Sequence, residues 1–265
     1  GLVSAVRAVG GSPELAQRLW FTIVLAVCAA SVAWLAMAVV RRPWAVFAAG
    51  VVSVANPFVM TTAPNLLPVV AIAAVALVVG AALRVHAGLH VPALLAVALA
   101  AWTAELSRNP PLLVIFAVVA LIALLVVLVE GPRLPAIRLA VAYIAGSLFW
   151  VVPFVLHHHF GTPGISPVTP ADPNAFDFLQ HNSGPANVVT LVASWTWGNP
   201  DLVGTTARLA TFPWSLLRWA LPVAVALSLA VTWRRRLSRA LLVAIVVALV
   251  MASGNNPPFR PVFDF

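Results

Sequence analysis

The sequence has no lysine, one cysteine and few charged residues of any kind. Its 265 residues include 8% charged side chains, against roughly 25% in an average soluble domain. This shortage excludes a water-soluble globular domain. Cys28 lies within an apolar run, so the chain offers no disulfide and no thiolate metal site. Phosphate-loop, nucleophile-elbow, zinc-protease and dinucleotide motifs are missing, as is the basic, aromatic pattern typical of nucleic-acid binding.

What remains is apolar: 62% of the residues are hydrophobic and the mean hydropathy is +1.03. We therefore predict an all-α, polytopic transmembrane helical bundle, a single membrane domain over residues 1–265. A membrane-spanning helix needs about 20 apolar residues. The sequence contains eight candidate spans, at about 19–40, 44–60, 66–83, 91–106, 112–129, 136–156, 215–233 and 240–253.

The arginines predict the orientation of these spans. If the spans alternate, one set of loops holds nine arginines, and the other set holds six arginines with six of the seven acids. Cytoplasmic loops are enriched in arginine, so the first set is predicted to be cytoplasmic. Both ends of the chain and the long loop 157–214 then lie on the external face of the plasma membrane.

The long external loop is the most polar part of the chain and the first place to look for a site. Asp172 and Asp177 lie five residues apart, and His181 follows them. Such groups suit a divalent metal or acid–base chemistry beside a polar head group. Alternatively, the aspartates cap short helices on a solvated loop. Neither zinc-type spacing nor a paired histidine motif is present, so no metal site is assigned.

A second cluster in the same loop combines Trp197, Asn199 and Asp201. An indole can stack on a sugar ring while amide and carboxylate groups bind the sugar hydroxyls. The alternative is the aromatic belt that anchors helices at a membrane interface. Sugar binding and interfacial anchoring both remain hypotheses for this cluster.

Three segments resemble the GT-C-type polytopic glycosyltransferases, in particular the actinobacterial α-(1→3)-arabinofuranosyltransferases of cell-wall synthesis. Residues 13–20 read PELAQRLW, similar to the family's QRLW start of a span. Residues 148–153 read LFWVVP, similar to its WW-x-x-P end of a later span. Residues 253–259 read SGNNPPF, similar to its KG-x-NPPFG turn, although the lysine is absent.

This resemblance implies transfer of a sugar, with arabinofuranose as the indicated sugar, from a polyprenyl-phosphate donor to a cell-envelope glycan. It implies a general-base carboxylate in a first external loop, often helped by a divalent metal. No residue of this chain matches that carboxylate, so the sequence is expected to be a fragment of a longer protein. The residues expected to contact substrate are Asp172, Asp177, His181, Trp197, Asn199 and Asp201, and those expected to contact the lipid phosphate are Arg18, Arg108 and Arg208.

Two other functions fit a chain of this composition. One is a transporter or flippase subunit for a lipid-linked or small polar substrate, which predicts paired ionisable residues near mid-membrane and inverted repeats. The central spans show neither, which favours the transferase. The other is a non-catalytic membrane assembly subunit.

Overall fold

The computed structural model describes residues 2–8, 10–40, 42–56, 59, 66–106, 110–160, 184–190, 211–234 and 236–253. Every regular element in these residues is a helix, which confirms the all-α prediction. The helices are α1 (Leu2–Ala8), α2 (Pro13–Val39), α3 (Pro43–Val54), α4 (Leu67–His86), α5 (Ala93–Leu106), α6 (Pro110–Glu130), α7 (Arg133–Phe160), α8 (Pro185–Val189), α9 (Trp214–Leu217), α10 (Ala220–Val231) and α11 (Arg236–Ser253).

The chain divides into two compact units. The first comprises residues 1–55 and 65–164, and therefore α1 to α7. The second comprises residues 56–64 and 165–265, and therefore α8 to α11.

Four stretches of the described residues are long and apolar enough to cross a membrane: Pro13–Val39, Leu67–His86, Arg133–Pro153 and Trp214–Val231. Shorter apolar helices occupy Pro43–Val54, Leu94–Leu106 and Ile115–Glu130. The chain is thus consistent with a membrane protein. The count of eight spans and the external position of the long loop stay predictions.

The start of α2 follows ordinary capping chemistry. The Ser12 side chain accepts a hydrogen bond from the Leu15 backbone N–H at 3.1 Å, and Pro13 occupies the first turn, where a missing N–H costs nothing. Glu14 also lies in the first turn, where the helix dipole favours negative charge. Local sequence therefore determines where the longest apolar run begins.

Contacts within the first unit show which helix ends lie together. The Trp20 and Trp102 rings are 6.2 Å apart, which brings the start of α2 to the end of α5. At the other end, the Arg84 Nη2 donates to the Trp34 carbonyl at 2.7 Å, which joins the end of α4 to the last part of α2. A β-carbon added at Gly131 would lie 3.4 Å from the His86 Cα, so the α6–α7 turn shares this second end.

The two ends of the first unit differ in charge among the described residues. What we call the basic end contains four arginines and one acid: Arg42, Arg84, Arg133, Arg138 and Glu130. What we call the balanced end contains two of each: Arg7, Arg18, Glu14 and Glu105. The fold therefore gathers the positive charge of this unit at one end of the bundle.

Small residues set the closest helix approaches. A β-carbon at Gly80 in α4 would meet the Trp34 ring of α2 at 2.7 Å. A β-carbon at Gly146 in α7 would lie 3.2 Å from the Ala100 Cβ of α5. Helices in an apolar solvent gain little from burying apolar surface, so close backbone packing at such residues supplies much of their attraction.

The predicted span 215–233 is not one continuous helix. It consists of α9, which ends at Leu217, and α10, which begins at Ala220. Pro222 accounts for the break, because it has no N–H to donate to the Arg218 carbonyl and its ring clashes with that carbonyl in a regular helix. Residues 218 and 219 form a turn there.

We predict that Gly80→Val destabilises the first unit by about 1–3 kcal/mol, the usual range for overpacking a close contact. The Trp34 ring is held under the Arg84 guanidinium, whose Cζ lies 3.7 Å from the ring centroid, so the ring has little freedom to move away. Thermal unfolding of the purified protein in detergent measures the effect.

The matched control is Ala145→Val, which places the same β-branched side chain at an exposed helical position of the same unit. It is expected to leave the melting temperature nearly unchanged. Equal melting temperatures for the two variants would contradict close packing at Gly80.

Candidate functional site

Most of the site residues predicted from the sequence lie outside the described residues. These are Asp172, Asp177, His181, Trp197, Asn199 and Asp201 from the long loop, together with Arg108 and Arg208. The described part of this loop contains the short helix α8, Pro185–Val189, followed by its C-cap residue Thr190.

Arg18 is the predicted phosphate contact that the structure describes. Its Nη2 donates to the Glu14 Oε1 at 2.6 Å, and the two side chains are 75% and 70% exposed. An exposed pair of this spacing contributes about 0.3–0.5 kcal/mol. Arg18 is therefore accessible at the balanced end, but Glu14 competes with any anionic ligand for its guanidinium.

Two tryptophans of the first unit carry buried indole N–H groups without a hydrogen-bond partner among the described residues: Trp102 in α5 and Trp150 in α7. A buried donor without a partner costs about 1–3 kcal/mol, so such groups call for an explanation. Trp102 packs on Trp20 at the balanced end, with the rings tilted by 49°. Trp150 instead lies beside a cleft.

Trp150 lines a cleft of about 410 Å³ between α6 and α7. The lining is apolar apart from three side chains with polar atoms, Tyr143, Ser147 and Trp150. The Ser147 hydroxyl donates to the Tyr143 carbonyl at 2.8 Å, so its proton is used within α7. The Trp150 side chain lines this cleft, and its buried N–H has no hydrogen-bond partner among the described residues.

A second cavity, of about 250 Å³, adjoins the cleft on the side of the basic end and is lined by α4 and α5 as well as by α6 and α7. The two share lining residues from α6 and α7, namely Phe116, Ala120, Tyr143 and Ile144. Along α7 the combined groove extends from Ala136 to Val151. At 1.5 Å per residue this is about 23 Å, most of the roughly 30 Å hydrocarbon core of a bilayer.

The middle of this groove is held by a polar contact between helices. The Tyr143 hydroxyl of α7 lies 3.1 Å from the Thr103 Oγ1 of α5, and the Thr103 Oγ1 donates to the Ala100 carbonyl at 3.1 Å. The Phe116 ring of α6 lies 6.2 Å from the Tyr143 ring. Tyr143 thereby joins three helices around the point where the cavity and the cleft meet.

The groove has the length and the apolar lining to hold a hydrocarbon chain. None of the residues that line its two parts is charged. Within the described residues, no group of three or more His, Cys, Asp or Glu side chains is arranged to hold a metal ion. The apolar lining of this groove therefore suits a hydrocarbon chain better than a polar ligand.

Sequence reasoning did not identify this groove. Trp150 belongs to the LFWVVP segment, but its cleft depends on α6, whose residues are apolar in sequence up to the terminal Glu130. The sequence contains one signal of an interhelical polar contact here, because Tyr143, the only tyrosine of the chain, lies in the middle of an apolar run. A phenolic hydroxyl at membrane depth needs a partner.

Comparison with protein-family models, with curated proteins and with solved structures finds no match for this chain.

We predict that the Thr103–Tyr143 contact couples α5 to α7. A double-mutant cycle of Thr103→Val and Tyr143→Phe, followed by unfolding in detergent, measures the pairwise term. Interhelical hydrogen bonds of membrane proteins average about 0.6 kcal/mol, with a maximum of about 1.7. We expect a value in this range, whereas strict additivity of the two single variants would show that the hydroxyls do not interact.

Proposed function

We propose that this chain is part of a GT-C-type membrane glycosyltransferase that transfers a sugar from a polyprenyl-phosphate donor to a cell-envelope glycan. Arabinofuranose is the sugar that the resemblance to the actinobacterial enzymes indicates. The observation that carries the proposal is the groove between α6 and α7. It is long, uncharged and apolar, as a polyprenyl chain requires, and it contains the Trp150 indole from the LFWVVP segment.

The donor would lie with its chain in the groove and its phosphate toward the balanced end. The Trp150 N–H, which is buried without a described partner beside the cleft, would donate to a phosphate ester oxygen or a sugar oxygen of the bound donor. Arg18 is exposed at the same end of the unit and offers charge-assisted hydrogen bonds to phosphate. Arg108 and Arg208 are proposed for the same role, and the loop residues Asp172, Asp177, His181, Trp197, Asn199 and Asp201 for contact with the sugar and the acceptor.

In this proposal the balanced end and the long loop face the outside of the plasma membrane, and the basic end faces the cytoplasm. The excess of arginine at the basic end is what the positive-inside rule associates with the cytoplasmic face. The donor and the acceptor glycan then meet outside the cell. Transfer with inversion needs a general base to take the proton of the attacking hydroxyl, and this base belongs to the first external loop of the resembled enzymes.

A flippase fits the groove less well. A flippase must move a charged head group through the membrane, and such a path is expected to contain ionisable side chains. The residues that line the cavity and the cleft include no acidic or basic side chain, and their one titratable group is the Tyr143 phenol. The groove is better suited to hold a lipid chain in place while its head group reacts at one end.

The proposal is tested with Trp150→Phe, which keeps the aromatic bulk and removes the indole N–H. The full-length protein in native membranes is supplied with radiolabelled polyprenyl-phosphate arabinofuranose, and transfer to an oligosaccharide acceptor is measured. Loss of one neutral hydrogen bond, worth about 1 kcal/mol, is expected to raise the KM for the donor about fivefold.

Trp102→Phe is the matched control, because it also removes a buried indole N–H without a described partner but does not line the cleft. Its KM for the donor is expected to stay within twofold of wild type. Equal effects of the two variants would remove the cleft from donor binding. Absence of transfer by the wild-type protein with arabinofuranose and with other polyprenyl-phosphate sugars would reject the transferase itself.

A further inference from the structure

The basic end of the first unit contains a second, polar pocket that the proposed reaction does not use. It has a volume of about 400 Å³. One wall is the turn between α4 and α5, from Val85 to Val91, and the other is the start of α7. His90 and Arg138 are its ionisable lining residues.

The turn that forms one wall is built by the end of α4. Gly88 adopts a φ of +72°, and the Leu89 N–H donates to the Arg84 carbonyl at 2.8 Å. This left-handed termination is typical of glycine after a helix. The reversal of the chain at Gly88 carries His90 to the pocket.

Arg138 is the cation in this pocket that is available to a ligand. Arg84 is already engaged, because it donates to the Trp34 carbonyl at 2.7 Å and stacks on the Trp34 ring. Arg133 donates from Nε to the Leu128 carbonyl at 3.2 Å. Arg138 is exposed and forms no hydrogen bond or ion pair with any residue that the structure describes.

The pocket adjoins the apolar cavity of the groove, with which it shares the lining residues Val85 and Leu139. Around this junction, Val85, Val127 and Ala136 form a buried cluster packed against Leu124 and Leu128. A cationic pocket therefore adjoins an apolar cavity at the end of the bundle. A ligand that fills both must have an anionic head and a hydrocarbon tail.

We propose that this end of the bundle binds an anionic phospholipid of the adjacent membrane leaflet. Its phosphate accepts hydrogen bonds from Arg138 and from an imidazole N–H of His90, and one acyl chain enters the cavity of about 250 Å³. Basic pockets between membrane helices are suited to such head groups, since attraction and desolvation act together there. The inference concerns a structural lipid and is independent of the transfer reaction.

The size of the site agrees with this occupant. The cavity ends near Phe116 and Tyr143, halfway along the groove. A phospholipid tail from the basic end would occupy this half of the groove. A polyprenyl chain that fills the whole groove would compete with it there.

The test measures phosphatidylglycerol bound to the full chain in mixed micelles by native mass spectrometry. Arg138→Gln removes the charge and is expected to weaken binding about tenfold or more, as for loss of a charge-assisted hydrogen bond. Arg133→Gln is the matched control, because it removes the same charge from the same helix end without lining the pocket. It is expected to leave the apparent Kd within twofold of wild type.

Two further ligands distinguish the contribution of the lipid head group from that of the acyl chains. Phosphatidylcholine with the same acyl chains is expected to bind more weakly than phosphatidylglycerol, and glycerol phosphate, which has no tail, is expected not to displace the lipid at equal concentration. Equal weakening by the two arginine variants, equal binding of the two lipids, or displacement by glycerol phosphate would each overturn the proposal.

A second pair of variants tests the tail. Ala140 lines the cavity, whereas Ala142, two residues away on α7, does not. Ala140→Leu fills space that the acyl chain needs and is expected to weaken phosphatidylglycerol binding several-fold, while Ala142→Leu is expected to leave binding unchanged. If both variants bind the lipid as wild type does, the acyl chain does not occupy the cavity.

Discussion

Close packing at small residues is the constraint on which the first unit of this chain depends. In an apolar solvent the burial of leucine and valine against another helix gains little, so helices associate where their backbones come near each other or where polar groups meet. Gly80 allows α4 to lie against Trp34 of α2, and Gly146 allows α7 to lie against Ala100 of α5. Arg84 strengthens the first of these contacts and Tyr143 supports the second pair of helices.

The groove follows from where such contacts are absent. Helix α6 has no glycine, and branched aliphatic side chains cover most of its surface. The cavity and the cleft lie along the contact between α6 and α7, and the α6 residues that line them include Ala117, Ala120 and Ala123. Without a glycine in α6 to let the backbones come close, and with these short side chains beside it, the contact leaves space. That space has the length and polarity of a lipid chain, and this is the basis of the proposed function.

Much of the secondary structure could be predicted from the sequence, because apolar length and helix-stop signals are local. The span expected at 66–83 corresponds to α4, Leu67–His86, and the span expected at 112–129 corresponds to α6, Pro110–Glu130. The span expected at 215–233 corresponds to a stretch that is long and apolar enough to cross a membrane, Trp214–Val231. It contains a turn at residues 218 and 219, for which Pro222 is the local signal. Membrane helices often continue through proline, so hydropathy outweighed this signal.

The candidate site was less predictable, because it depends on contacts between distant residues. Thr103 and Tyr143 are separated by 40 positions and Trp34 and Arg84 by 50. Periodicity does not reveal which apolar faces will meet, and the helices here are apolar on nearly every side. A polar loop can be recognised from sequence alone. A groove lined by alanine and leucine side chains can be recognised only when the packing of the helices is known.

The most direct test of the central claim is photocrosslinking with a polyprenyl-phosphate that carries a diazirine within its isoprenoid chain. After irradiation of the full-length protein in membranes, mass spectrometry identifies the labelled residues. If the groove holds the lipid, label is expected on lining residues such as Ala117, Ala120 and Leu148. Label concentrated instead on Val118 and Ile122, which are exposed and line neither the cavity nor the cleft, would contradict the account.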